Sequence, residues 1–276
     1  MATRFSLLIA LPLLLAGGCA RAPATLQTAE SCPSCHAPHR PDRGRCASCH
    51  RGDPVAERKE LAHHRLIRGE AAEHRFPDSQ AVAEGRRNVE RLACRRCHTI
   101  DGSGHRLATN LDRVAWMRDQ TGLARSLGEP AANMPRFGLD GRQTEGVIAY
   151  LLRSAGPELS VESYRVRFSR QGAVRESLFE KRCGGCHRSL AAQGSLGRGS
   201  AGPNLSGLFT AFYPATAPGI RPWTPVALGD WLKNPRTFRP ATTMRPVRLE
   251  PMDLESLVME IGGPATAPTR ESRRAL

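Results

Sequence analysis

A cysteine, two residues, a second cysteine and a histidine recur four times in this 276-residue chain: Cys32, Cys35 and His36; Cys46, Cys49 and His50; Cys94, Cys97 and His98; Cys183, Cys186 and His187. These frames take eight of the nine cysteines. Two thiols at this spacing can form thioethers with the two vinyl groups of one haem, and the adjoining imidazole can reach the iron axially, so each frame carries what covalent haem attachment needs. Two plainer readings compete. The eight cysteines of an exported chain could make four disulfides, and Cys32/Cys35 with Cys46/Cys49 could hold zinc through four thiolates. Neither predicts a histidine directly after every second cysteine. The zinc reading also needs pairs that work in twos, whereas Cys94/Cys97 and Cys183/Cys186 stand far apart. The expectation is four covalently bound haem c groups, with His36, His50, His98 and His187 as proximal iron ligands.

The elements that must position these frames are helical. Val82, Val89 and Leu92 recur at helix spacing ahead of Cys94, and Val147, Ile148, Leu151 and Leu152 recur after Asp140, a good cap. Val174, Leu178 and Phe179 precede Cys183. Pro251 can open a last helix with Leu254, Leu257, Val258 and Ile261 on one face. The fold class is therefore mainly α, with a loop-rich N-terminal module in which Pro38, Pro41 and Gly44 join two closely spaced frames. That module, residues 31–78, holds His39, His63, His64 and His74 outside its frames and no methionine before residue 78, so bis-histidine ligation is the leading expectation for its two irons. His39, three residues after His36, can cross over to the neighbouring haem. His64 and His74 are read as surface or propionate-contacting groups, and His105 has no assigned role.

Several stretches resemble known families. Cys46-Ala47-Ser48-Cys49-His50-Arg51-Gly52-Asp53-Pro54, followed by Lys59-Glu60-Leu61-Ala62-His63, resembles a segment of multihaem c-type cytochromes in which the histidine after that alanine is a distal ligand; the resemblance makes His63 the first choice. Residues 86–98, Ile100-Asp101-Gly102-Ser103-Gly104, Met134-Pro135-Arg136-Phe137 and Ala149-Tyr150-Leu151-Leu152 look like class I cytochromes c, and the likeness implies Met134 as axial ligand. One departure is Ala108-Thr109-Asn110-Leu111, with threonine where that family usually has a proline whose carbonyl orients the proximal histidine. Phe179, Gly202-Pro203-Asn204-Leu205, the run from Leu228 through Trp231 to Pro235, and Thr243-Met244-Arg245-Pro246 repeat the plan and imply Met244. The plainer reading of both methionines is core filler, as for Met252 and Met259.

The N-terminus reads as a signal peptide over residues 1–18, ending in Leu15-Ala16-Gly17-Gly18-Cys19, which resembles a bacterial lipobox with alanine replacing the usual leucine three places before the cysteine. Lipidation of Cys19 is expected, with ordinary cleavage near residues 20–22 as the alternative. The domain plan is a tether over 19–30, a dihaem module over 31–78, class I cytochrome c domains over 79–156 and 157–263, and a disordered tail over 264–276. A net charge of +14 suggests an acidic partner or a membrane surface, and export argues against nucleic acid. Haem propionates add about eight negative charges, which arginines suit as planar donors. A basic docking face for an acidic redox partner is the other use of that charge.

Counting axial ligands leads to function. Four irons need four distal groups, and His63, His39, Met134 and Met244 suffice, which favours electron transfer over open-site chemistry. Thioether ligation raises the potential relative to bis-histidine ligation, so the first module is expected to be the low-potential pair. The whole resembles a tetrahaem cytochrome of bacterial respiratory chains, exported and held as a lipoprotein on the periplasmic side of a membrane, the outer one favoured, exchanging electrons with redox proteins. The alternative is a peroxidase or oxyanion reductase in which one haem keeps an open position.

Overall fold

The computed structural model describes residues 30–131, 133–155, 166, 168 and 177–264. The expected leader, Cys19, Val174 and nearly all of the tether and tail lie outside the described residues.

The N-terminal module is held by polar contacts more than by a core. It consists of 3-10 turns at Cys32–Ser34, Pro41–Arg43 and Gly69–Arg75, with helices α1 (Cys46–His50) and α2 (Lys59–Ala62) between them. The first fully buried apolar side chain among the described residues is Ile67. What ties the loops is a set of hydrogen bonds from Ser31 N–H to the Pro54 carbonyl (2.7 Å), Asp53 N–H to that of Ala62 (3.1 Å) and Ile67 N–H to that of His50 (2.6 Å). The Glu30 carboxylate accepts from the N–H groups of Cys46 (2.9 Å) and Ala47 (3.3 Å), satisfying donors that the start of α1 leaves free. Burial raises the Glu30 carboxyl, but those two N–H groups and Arg45 outweigh it and hold the group below the usual carboxylate range.

Residues 80–155 follow the sequence expectation closely. Helix α3 (Gln80–Arg91) leads into a 3-10 turn at Cys94–Arg96, then a two-residue antiparallel hairpin, β1 (Thr99–Ile100) with β2 (Ser103–Gly104), then α4 (Leu111–Met117), α5 (Gln120–Gly128) and α6 (Gly141–Ser154). Each α-helix here starts at a residue whose side chain can accept from the free N–H groups: Ser79, Asn110, Asp119 and Asp140, the last in a reciprocal capping box with Gln143. Helices α3 and α6 cross at Gly85 and Gly146, where a Cβ added to Gly85 would lie 1.8 Å from the Gly146 carbonyl oxygen. Only glycine lets the backbones touch. Around that crossing Val89, Ile100, Ala115, Leu123, Val147, Ile148, Leu151 and Leu152 form one core, which Ile67 and Ala71 of the first module join.

The C-terminal unit runs from α7 (Leu178–Arg182) through a hairpin, β3 (Ser189–Ala191) with β4 (Gly194–Leu196), to α8 (Pro225–Lys233), α9 (Pro235–Phe238) and α10 (Pro251–Glu260). Pro225, Pro235 and Pro251 each sit in a first turn, where a missing N–H costs nothing. Phe179, Leu208, Trp223, Leu228, Leu232, Leu257 and Val258 form a second core. The two cores share a local device: the hairpin after each frame brings a positive-φ glycine against the carbonyl of the frame histidine, Gly104 on His98 and Gly197 on His187, where a Cβ would come within 2.0 and 2.2 Å of the oxygen. No helix among the described residues is long and apolar enough to cross a membrane.

Candidate haem sites

Three of the four frame histidines are anchored in the same way. Nδ1 of His50 donates to the carbonyl of Ile67 (2.8 Å), that of His98 to Thr109 (2.7 Å) and that of His187 to Pro203 (2.8 Å). A carbonyl oxygen only accepts, so the proton is assigned to Nδ1 and Nε2 keeps its lone pair. The threonine that departs from the expected proline thus supplies the same carbonyl. Around His187 the packing is tightest: a Cβ on Gly202 would lie 2.3 Å from the imidazole, and one on Gly199 2.4 Å from the Cys186 backbone.

The first module pairs its histidines. The His36 and His63 rings stand 6.0 Å apart, centroid to centroid, and those of His39 and His50 stand 5.6 Å apart. His39 crosses from the first frame to the second, as its position allowed. His64 is exposed, and so is His105. His74 departs from its expected surface position. It is 1 % exposed, in the 3-10 turn that packs against α6, with Nδ1 on the Ala71 carbonyl (2.9 Å) and Nε2 buried without a partner. Burial lowers its pKa to about 4.

Both candidate methionines are half-buried. Met244 Sδ accepts from the indole N–H of Trp231 (3.1 Å), and its side chain packs on the C-terminal core. Met134 lines a recess with Pro135, Arg188, Gly202 and Asn204, beside the loop that anchors His187. Two cysteine sulfurs are set against apolar surroundings: Cys94 adjoins one core and Cys183 the other, and burial pushes each thiol up to about 11. Such sulfurs stay uncharged, which suits a thioether better than a zinc thiolate. The described residues form neither a disulfide nor a group of three or more His, Cys, Asp or Glu able to hold a metal ion.

A family model described as Cytochrome C oxidase, cbb3-type, subunit III matches residues 80–151. Residues 80–151 are thus similar to a c-type cytochrome domain. Comparison with curated proteins and with solved structures gave no match. The matched stretch spans α3 through most of α6 and includes Cys94, Cys97, His98 and Met134, so this cytochrome domain implies a covalently bound haem c and a haem-based electron-transfer protein.

The residues present fit that group. Anchoring of Nδ1 by a carbonyl is the arrangement that fixes tautomer and ring direction in metal-ligating histidines. His36 with His63 and His39 with His50 stand close enough that each pair would offer two imidazoles to one iron. The first module's want of buried apolar side chains before Ile67 fits as well, since so short a segment needs a large apolar partner to offset its ordering entropy.

Supporting residues of the cytochrome were not legible in its sequence. Glu260, at the end of α10, accepts from Ser177 Oγ (2.7 Å) and the N–H groups of Leu178 (2.9 Å) and Phe179 (2.8 Å), holding the start of the helix that carries Cys183. Arg51 donates to the carbonyls of Ala115 (3.2 Å) and Leu152 (3.0 Å) and lies over the Trp116 ring, joining the first module to α4 and α6. Arg75, Arg96, Arg153 and Arg188 likewise donate to main-chain carbonyls. Nothing in composition marks an arginine for such a bond, because each partner is a backbone atom brought near by folding.

Proposed function

We propose that this cytochrome is a tetrahaem electron carrier. Its two N-terminal irons are held by His36 with His63 and by His50 with His39, and the other two by His98 with Met134 and by His187 with Met244. Bound haem supplies one-electron chemistry. The chain holds the imidazoles of His50, His98 and His187 by their carbonyl partners, sets Cys94 and Cys183 against its two cores, and would offer each iron a second protein ligand. The observation that carries the reading is the pair of histidine contacts, His36 with His63 and His39 with His50, each joining a frame histidine to a histidine outside the frames.

Two tandem class I domains, a lipid anchor at Cys19 and export complete the proposal. Electrons enter at the anchored low-potential module and leave from the C-terminal high-potential haem to a redox protein. The test is a pyridine-haemochrome count together with magnetic circular dichroism. Four haems per chain, two His/His and two His/Met, are expected, with a redox titration that splits into two low and two high steps. A count below four, or no such split, overturns the reading.

A further inference from the structure

We propose that Arg96 and the main chain of Asn204 form the electron bridge between the Cys94 and Cys183 frames, with Arg96 as a positioning residue for the His187 site although it belongs to the other unit. The inference rests on the four-haem reading. Arg96 lies between Cys94 and Cys97, inside one attachment frame. Its Nη1 donates to the Asn204 carbonyl (3.0 Å), and the next carbonyl back along the chain, Pro203, is the one that accepts from His187 Nδ1 (2.8 Å). Two hydrogen bonds and the short main-chain link between residues 203 and 204 therefore connect the loop of one frame to the axial histidine of the other.

Further contacts hold this junction in place. Tyr213 Oη donates to the same Asn204 carbonyl (3.1 Å), and the Arg96 guanidinium lies 5.6 Å from the Tyr213 ring centre. The Arg96 main chain sits against Gly207, a positive-φ glycine whose Cβ would come within 2.4 Å of the Arg96 oxygen. Asn204 Nδ2 reaches the carbonyl of Asn133 (3.1 Å), next to Met134, while Asn133 itself donates to Ser195. Both the frame loop and the Met134 loop of residues 80–155 thus converge on Asn204.

Such a junction does two things. It supplies a path of bonds and hydrogen bonds for one electron passing between the iron held by His98 and that held by His187, with no bond made or broken and no proton moved. It also fixes the Pro203 carbonyl from outside its own unit, and the strength of that hydrogen bond sets how much electron density His187 gives its iron. A guanidinium suits the place because its donors are planar and held in a fixed fork.

The test uses the full-length holoprotein. Arg96→Ala is expected to slow electron exchange between the two C-terminal haems several-fold after pulse reduction, and to shift the potential and low-spin resonance of the His187 haem. Arg96→Gln, which keeps an N–H donor, is expected to restore both. Should Arg96→Ala fail to fold, Arg96→Met, which keeps an apolar stem but no N–H donor, is expected to show the slowing. Unchanged exchange and unchanged potential in a variant that retains four haems overturn the bridge alone. A parent protein lacking haem at either frame overturns the bridge together with the four-haem reading.

Discussion

His98 and Thr109 are joined by a hydrogen bond of 2.7 Å from Nδ1 to the carbonyl oxygen, matching the 2.8 Å bond between His187 and Pro203. One partner is a threonine and the other a proline, so the main-chain oxygen, and not the pyrrolidine ring, anchors the imidazole. Pro203→Ala is therefore expected to keep haem content, potential and low-spin spectrum, at a stability cost under about 1 kcal/mol from the freer unfolded chain. A redox titration and a resonance spectrum of the variant check this. Loss of the low-spin signal would show that the ring itself is needed.

Trp231 donates its indole N–H to Met244 Sδ. A hydrogen bond to a ligand sulfur withdraws electron density from it and favours the reduced iron, so Trp231→Phe is expected to lower the potential of the C-terminal haem and leave the other three in place. Potentiometry with four resolved steps reads the shift. An unmoved highest step counts against either Met244 as ligand or Trp231 as its partner, and the His/Met spectral signature of that haem tells which.

Burial holds His74 neutral, with a pKa of about 4 against an ordinary 6.5. The unfolded chain takes up a proton below pH 6.5 that the folded chain refuses, so stability is lost as pH falls from about 6.5 toward 4, by roughly 3 kcal/mol in all. His74→Gln is expected to flatten that part of the curve. Thermal unfolding of parent and variant between pH 7 and pH 4 makes the comparison, and parallel curves would refute the assignment.

Gly85 has no room for a side chain where α3 meets α6, since even a methyl group would overlap the Gly146 carbonyl. Gly85→Ala is expected to destabilise residues 80–155 by about 1–3 kcal/mol, despite alanine's better helix propensity. Gly128→Ala has open space around it and serves as the control. Chemical unfolding monitored by haem absorption measures both.

Opening an axial position is the sharpest check on the first module. His63→Ala is expected to make one haem high-spin and able to bind carbon monoxide, and His64→Ala to leave all haems as they were, because only His63 faces His36. Carbon monoxide titration of the reduced variants counts the open sites. Stoichiometric binding by the parent protein would favour the enzymatic alternative.

The sequence by itself determined the four frames, because a covalent attachment site is local: five consecutive residues contain both sulfurs and one axial ligand. It also determined α3, α6 and α10, whose apolar spacing, with the Asp140 cap and the first-turn Pro251, is written within a few residues. What only the tertiary structure decided is how those local pieces meet. The main-chain carbonyl that anchors His50 comes from Ile67, 17 residues away, with no motif to mark it, whereas the resemblance to class I cytochromes c already pointed to positions 109 and 203. Arg96 meets Asn204 across 108 positions. The burial of His74, read as a surface or propionate-contacting group, was not legible because a polar side chain on a short 3-10 turn carries no periodic signal of burial. Frames follow from chemistry written along the chain; partners follow from which backbone atoms the packed cores bring within 3 Å of them.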